Sequence, residues 1–305
     1  MHTKGKQPVM NTDTDYQVRA TAANGTIRAF AITARDTVEE ARQRHNTSPV
    51  VTAALGRVLC GAAMMSRMEK EDDDLLTIQV IGDGPMQGLT VTANPCGLLK
   101  GFANVTDVEV PPKHKGKLDV GTAVGAGILR VMRDTGAPEP YIGTVQLVSG
   151  EIAEDLTYYF AQSEQTPSAV GLGVLVDTDC SVLAAGGFIV QVMPDITDET
   201  LGQLEERIKA IPPVTEMLHS GMTPEMILGE LLSDMDWEIL ETQPVAYQCD
   251  CSRERVSRSL SILNQKDLQE MIDEGKPIEV RCQFCNETYT FSPTELKELQ
   301  ESAKP

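Results

Sequence analysis

Positive charge is scarce in this sequence: 26 Lys and Arg stand against 45 Asp and Glu, a formal net charge of −19. Binding to nucleic acid through the phosphate backbone needs Lys and Arg clusters that displace counterions, so that class of function is excluded as a general activity. Aromatic residues are few, with one Trp, six Tyr and six Phe. No apolar run reaches the roughly 20 uninterrupted residues that cross a bilayer. The most apolar stretch, SPVVTAALGRVLCGAAMMSRM, is broken by Arg57 and Arg67 and reads as a buried core helix. The first fifteen residues are polar and show no charged-then-apolar leader. With seven cysteines, an odd number, the chain is expected to be cytoplasmic with reduced thiols, where paired cysteines mean metal or redox function more often than structural disulfides.

Catalytic signatures are missing too. His2, His45, His114 and His219 show neither metal nor triad spacing. The segment GDGPMQG lacks the G-x-G-x-x-G spacing and the Lys-Ser/Thr ending of phosphate loops, so it reads as a turn between strands. Glu154 and Asp155 are candidate acid–base groups, but solvated helix charges are the default reading. Nothing assembles a nucleophile, a base and an oxyanion donor, and the chain is not read as an enzyme.

What is present is 41% hydrophobic content, enough for one large domain with a core and a smaller one. From Tyr16 two strand-like runs flank Asn24-Gly25, a pair that favours the positive φ of a hairpin turn. A short helix follows, then the apolar helix with Ser48 as cap and Pro49 in its first turn. Further strand-like runs form a meander, and a second hairpin is expected around Asp177 to Cys180. Strands outnumber helices without βαβ alternation, so the predicted class is α+β: a large, mainly antiparallel sheet domain with packed helices, a helical linker and a small C-terminal domain. The expected division is an N-terminal tail over 1–15, poorly ordered, a core domain over 16–194, a linker over 195–240 and the C-terminal domain over 241–305.

The linker is set apart by charge. Residues 195 to 248 hold twelve Asp and Glu against only Arg207 and Lys209. Leu201, Leu204, Ile208 and Ile211 recur at three- and four-residue spacings, one apolar stripe on a charged helix that needs a surface to lie on. Pro212-Pro213 stops that helix, and a later one starts with Thr223 as cap and Pro224 in its first turn.

The remaining signal is cysteine. Cys249 and Cys251 form a C-x-C pair, and Cys282 and Cys285 a C-x-x-C pair, in a tail whose few large apolar residues make a poor core. Domains this small commonly need a metal or a disulfide. Two close thiolate pairs separated by a few dozen residues are a usual way to supply four tetrahedral ligands to zinc. The C-x-C half is unusual, because alternate residues of an extended chain face opposite ways and the backbone must turn at Asp250. Metal-bound sulfurs are thiolates, the form oxidants attack, and Arg253, Arg255 and Arg281 lie near enough in sequence to support them. Three readings stay open on spacing alone: a closed structural zinc site, a zinc-controlled redox switch, and a dithiol oxidoreductase. The last is ranked lowest, since C-x-x-C here lies between strands rather than at a helix start. Val256, Leu260 and Leu263 are expected on one face of the helix after Ser252, and Ser292 with Glu295 forms a capping box. Cys60 reads as buried and inert, Cys96 and Cys180 as free thiols in turns.

The segments VRATAANGTIRAFA, RQRHNTSPVVTAALGR, GDGPMQG, GKLDVGTAVG, LVSGEIAEDLTYYFAQSEQTPSAVGLGVLV, AAGGFIVQ, CDCSRER and CQFCNETYTF, spanning about residues 16 to 300, resemble one family. It is the bacterial redox-regulated heat-shock holdase chaperones of about 33 kDa, the zinc-dependent redox-switch family. The resemblance implies that Cys249, Cys251, Cys282 and Cys285 hold one zinc ion per chain in a reduced, inactive state. It implies that oxidation forms the disulfides Cys249–Cys251 and Cys282–Cys285, expels the metal and unfolds the tail. It implies also a homodimer when oxidised, unfolding client proteins as partners, ATP-dependent chaperones downstream for refolding, and no nucleic acid or membrane partner. Under it Leu201, Leu204, Ile208 and Ile211 become the latch that opens when the tail unfolds.

Overall fold

Small apolar side chains alternate along β1 (Tyr16–Ala22): Tyr16, Val18, Ala20 and Ala22 are all buried, which commits one face of the strand to a core. In the computed structural model, which describes residues 14–114 and 116–302, β1 pairs antiparallel with β2 (Ile27–Thr33). The hairpin expected around Asn24-Gly25 forms, but through a longer turn in which Ala23, Asn24 and Gly25 all take positive φ. Residues 1–13 of the expected tail lie outside the described residues. Asp15, at its end, is buried and accepts the Thr37 N–H at 2.5 Å, supplying an anion to the first turn of α1 (Arg35–His45).

Two antiparallel sheets follow. The first runs β10-β1-β2-β9-β8, with β8 (Ser168–Val176), β9 (Val182–Val192) and β10 (Glu238–Pro244); the second hairpin is the β8–β9 pair. The second runs β11-β5-β4-β3-β6-β7, with β3 (Leu75–Gly82), β4 (Leu89–Ala93), β5 (Leu98–Ala103), β6 (Gly127–Asp134), β7 (Tyr141–Gln146) and β11 (Ala246–Tyr247), the last joined to β5 in parallel. Between β3 and β4 the GDGPMQG segment is a turn, tied down by the Ala126 N–H donating to Asp83 Oδ1 at 2.7 Å.

The apolar helix α2 (Pro49–Ser66) packs against strands of both sheets, and sixteen of its residues are buried. A helix apolar all round has no face to offer water, so it ends up between layers. By length and composition alone it passes for a membrane span, yet its apolar surface is spent inside the protein. Pro49 begins it as expected, but Ser48 does not cap it. The Ser48 hydroxyl donates to Val108 O at 2.9 Å and accepts the Val108 N–H at 3.1 Å, fastening a loop instead.

Asp155, read as a solvated helix charge, is 0% exposed at the start of α4 (Ala153–Gln162). Its Oδ1 accepts the N–H groups of Val148, Ser149 and Gly150 at 2.7, 3.1 and 3.3 Å, and its Oδ2 accepts that of Ile152 at 2.9 Å. One carboxylate thus organises the whole turn before α4, including the positive φ of Ile152, which a β-branched residue rarely adopts. Asp155→Ala strands these donors in a buried site and is expected to destabilise this unit by about 3–5 kcal/mol, with Asp155→Asn costing less. Denaturant unfolding followed by the single Trp, Trp237, measures it; a cost below about 1 kcal/mol would remove that role.

Three helices, α5 (Asp198–Ala210), α6 (Val214–His219) and α7 (Pro224–Leu232), then cover the outer face of the first sheet. Thr197 caps α5 and Thr223 caps α7, each accepting the N–H three residues on. Leu204 is 1% exposed against a core formed by Tyr16, Val18, Ile27, Phe188 and neighbours; Ile208 and Ile211 are half-buried on it, and Leu201 is only partly covered. The deepest anchors come from α7, where Ile227, Leu228, Leu231 and Leu232 are fully buried. Arg207 ties α5 to the end of α7, bonding Ser233 and pairing with Asp234 at 2.8 Å.

The chain divides into two compact units between Tyr247 and Gln248. The second contains α8 (Arg253–Ser261), α9 (Gln265–Asp273), the antiparallel pair β12 (Ile278–Arg281) and β13 (Thr288–Phe291), and α10 (Pro293–Ser302). Its buried hydrophobic core is Leu260, Leu268, Ile272, Phe291 and Leu296. The Ser292–Glu295 capping box is present, Ser292 N–H donating to Glu295 Oε2 at 2.8 Å and Glu295 N–H to Ser292 Oγ at 3.3 Å. The expected stripe on α8 is shorter than its sequence: the helix ends at Ser261, so Leu263 falls beyond it, next to Ile262 at 83% exposure.

Candidate metal centre

A strand that carries cysteines at i and i+2 presents them to opposite sides, so convergence of Cys249 and Cys251 requires a held turn between them. Arg255 holds it. Its Nη1 donates to Asp250 O at 3.1 Å and the guanidinium pairs with the Asp250 carboxylate. Ser252 accepts the Arg255 N–H at 3.2 Å to start α8, which fixes where that guanidinium can reach. The other pair sits in the turn joining β12 to β13. There Asn286 N–H donates to Cys282 O at 2.8 Å, Cys282 N–H donates to Glu287 O at 2.9 Å, and Asn286 takes φ +62° to close the knuckle.

These two local structures bring all four Sγ atoms within 4.8 Å of one another. Cys249 Sγ lies 3.8 Å from Cys282 Sγ, and Cys251 Sγ lies 3.2 Å from Cys285 Sγ. Four thiolates bonded to one zinc at about 2.3 Å in a tetrahedron would stand about 3.8 Å apart, so the donor set is already gathered to the size of such a site. An all-sulfur set suits a soft or borderline ion and not Mg²⁺ or Ca²⁺. Cys285 is the most enclosed of the four, at 6% exposure.

In the thiol form the four groups are not equivalent. Burial pushes Cys285 and Cys249 up in pKa. Burial works the same way on Cys251, but hydrogen bonds from the Tyr289 hydroxyl and the neighbouring thiols outweigh it, and Cys251 is lowered. Tyr289 Oη stands 3.2 Å from Cys251 Sγ, and that bond in turn raises the phenol. Tyr289 is the site residue that sequence reasoning missed. Its only signal is alternation along β13, which sets it opposite Val280 across the hairpin.

Of the arginines expected to support the sulfurs, Arg253 and Arg255 are engaged with carboxylates. Arg253 pairs with Glu295 at 2.5 Å and stacks 4.3 Å over the Phe291 ring, Arg255 pairs with Asp250, and Arg281 is exposed on β12. Arg253 braces the capping box and Arg255 the C-x-C turn, each with its charge met by a carboxylate. Cys60 is fully buried in α2, and burial raises its thiol. Cys96 is exposed and Cys180 half-buried, both in turns and both outside the cluster. His45, without a metal role, bonds the Tyr247 hydroxyl at 3.1 Å inside the first unit.

Comparison with known proteins bears on the whole chain. The family model described as Hsp33 protein matches residues 15–292. A protein of Agathobacter rectalis named 33 kDa chaperonin is 56% identical over 286 residues, which cover 94% of this chain and 99% of that protein. Its namesake from Clostridioides difficile is 49% identical, covering 93% and 98%. A crystal structure of the 33 kDa chaperonin, or heat shock protein 33 homologue, of Thermotoga maritima superposes with a TM-score of 0.88 at 38% identity, covering 95% of this chain and 98% of that one.

Proposed function

The chain belongs to the Hsp33 family, a family of chaperones and not of enzymes, and on that premise we propose that it is an ATP-independent holdase of the cytoplasm controlled by its four clustered cysteines. The observation that carries the reading is the gathering of four thiols to zinc-site dimensions in a unit whose core contains only a handful of buried apolar side chains. In the reduced state Cys249, Cys251, Cys282 and Cys285 hold one zinc ion. When bound, zinc keeps its donors as thiolates and staples the C-x-C turn to the knuckle. In zinc peptides such binding contributes about 10–16 kcal/mol, against about 5–15 kcal/mol of net stability for a typical domain, so the second unit depends on its donor set.

Oxidation acts on the donors. Each disulfide forms as a pair of thiolates gives two electrons to the oxidant; peroxide takes them up with two protons from solvent and leaves as two waters. Pairing Cys249 with Cys251 and Cys282 with Cys285 unlinks the two halves of the site, whereas the crossed pairs, whose sulfurs are 3.8 and 3.2 Å apart, would staple them together. Local pairing, which the resemblance to the family implies, is the chemistry that opens the unit. Its unfolding frees the linker, exposing the Leu204 stripe, the α7 anchors and the sheet face beneath them to unfolding clients, with the acidic outer face keeping the open chain soluble. The oxidised chain works as a homodimer and passes clients to ATP-dependent chaperones for refolding.

The deciding experiment follows free thiols, bound zinc and suppression of client aggregation in one sample during peroxide treatment with mild heating. Zinc loss and holdase activity should rise together; zinc retained by an active chain, or activity absent after its loss, would refute the switch. The order of bond formation is a separate expectation. With the metal bound all four sulfurs are thiolates, so acidity no longer ranks them and ring geometry does. The C-x-C ring is the smaller and departs further from relaxed disulfide geometry. Cys282–Cys285 should form first, and time-resolved mass spectrometry of alkylated digests should find it before Cys249–Cys251 or either crossed pair.

A further inference from the structure

The linker helices are held at both ends by the same sheet: β9 precedes α5 and β10 follows α7. A segment anchored at both ends comes away only if one anchor lets go. β9 lies between β2 and β8, whereas β10 is an edge strand with no buried residue. β10 is the anchor that yields.

Its seat on β1 is imperfect. The register slips between Arg19 and Ala20, leaving Leu240 as an extra residue of β10 at 52% exposure. Beneath the ladder Gln17 Oε1 and Arg19 Nε are buried without hydrogen-bond partners. Besides its antiparallel ladder on β1, three side-chain contacts pin β10: Arg67 pairs with Glu241 at 2.5 Å, Gln17 Nε2 donates to Gln243 Oε1 at 3.1 Å, and Gln243 Nε2 donates to Pro95 O at 2.6 Å. Where the chain passes on to β11 it presses Pro244 O against Gly97, which has φ +80° and room for no side chain.

The edge that β10 covers is well defined. Val245 N–H donates to Asp15 O and Ala23 N–H to Met235 O at the two ends of the ladder, so the odd-numbered residues of β1 turn their backbone groups towards β10. Once β10 leaves, Gln17, Arg19 and Thr21 present a row of unpaired N–H and C=O groups. The adjoining sheet face, built from Tyr16, Val18, Ala20 and Ala22, loses its cover when α5–α7 go with it. Exposed edges of this kind template the addition of another strand.

We propose that β10 is a resident stand-in for the client, and that in the opened protein an extended segment of an unfolding polypeptide takes its place on β1. The proposal deepens the holdase reading and rests on it. β10 itself defines what fits: an extended run of about seven residues with an apolar side chain where Ile239 meets the sheet core. Arg19 and Arg67 border the seat, and Arg67 loses Glu241 when β10 departs, so basic segments are disfavoured and neutral or acidic ones accepted.

Hydrogen exchange resolved to single amides on the full chain tests this in three states: reduced, oxidised, and oxidised with reduced, carboxymethylated lactalbumin as a permanently unfolded client. The amides of Gln17, Arg19 and Thr21 should exchange about 100-fold faster on oxidation and recover at least about 10-fold protection with client, while those of Val18, Ala20 and Ala22, which face β2, stay protected throughout. A peptide of the β10 sequence EILETQP should compete with the client for the oxidised chain, and a scrambled peptide should not. Client held with these odd-numbered amides still exchanging freely would overturn the inference alone. Recovery of protection that depends on protein concentration and needs no client would hand the edge to a second copy and overturn it too. An oxidised chain that suppresses no aggregation would bring down the holdase reading, and the inference with it, by a separate readout.

Discussion

Cys285→Ser is expected to strip the chain of tight metal binding: zinc should fall from one per reduced chain to a trace after dialysis against a mild chelator, an affinity loss well beyond about 100-fold. A serine hydroxyl stays protonated at neutral pH and offers zinc a weak donor, and Cys285, the most enclosed of the four, sits where no water or other side chain replaces it easily. No His lies in the second unit to substitute as a ligand. Because that unit's core is small, its circular dichroism and proteolytic resistance should collapse along with the metal. Full zinc occupancy in the variant would refute the ligand assignment, and loss of zinc with a fully folded second unit would refute its role as the staple.

Leu204→Glu should give holdase activity without oxidant. Leu204 is buried in the cluster that also holds Val18, Ile27 and the α7 leucines, and a carboxylate there must either be buried unpaired or drag α5 out of that cluster. Burial without a partner costs several kcal/mol, roughly 4 or more, which exceeds what one turn of helix packing returns. Detachment of α5 is the cheaper outcome. The variant should suppress client aggregation partially in the reduced state while keeping its zinc, since its substitution is far in sequence from the four cysteines. A variant that stays folded, zinc-bound and inactive would show that the linker is no latch. Combining it with Glu241→Ala, which removes the Arg67 ion pair from β10, should raise the oxidant-free activity further if β10 is the anchor that limits opening.

The α+β class, both hairpins, the buried apolar helix, the α5 stripe and the Thr223-capped helix were legible because each rests on a local rule: alternation, a cap, a proline, an apolar run. The cysteine cluster was legible because metal chemistry demands few residue types at short spacing. Asp155 was not, since nothing in SGEIAED distinguishes a carboxylate that gathers four backbone N–H groups from one that faces water; the loop must close before those donors converge. The weight of α7 over α5 was missed for a related reason. The α5 stripe stands out against charge, while MILGELL hides its four anchors in an apolar run whose depth only the sheet beneath decides. Tyr289 and the pairing of β10 with β1 depend on partners far away in sequence, which periodicity does not report.

The placement of α2 between the sheets has a bearing on wear. A protein proposed to act in peroxide carries sulfur at risk everywhere it is wetted, and methionine sulfoxide in a core would wedge a polar group into tight packing. Cys60, Met64 and Met65 are stacked along α2 with no exposed surface, and Met86 is equally enclosed. The sulfur of the central helix is thereby shielded from the reagent that the four clustered thiols are placed to meet, whereas Cys96 in its turn is exposed. Met226, more than half exposed on α7, has no such cover, and its thioether should be the first on the linker to record how long the chain has spent under oxidant.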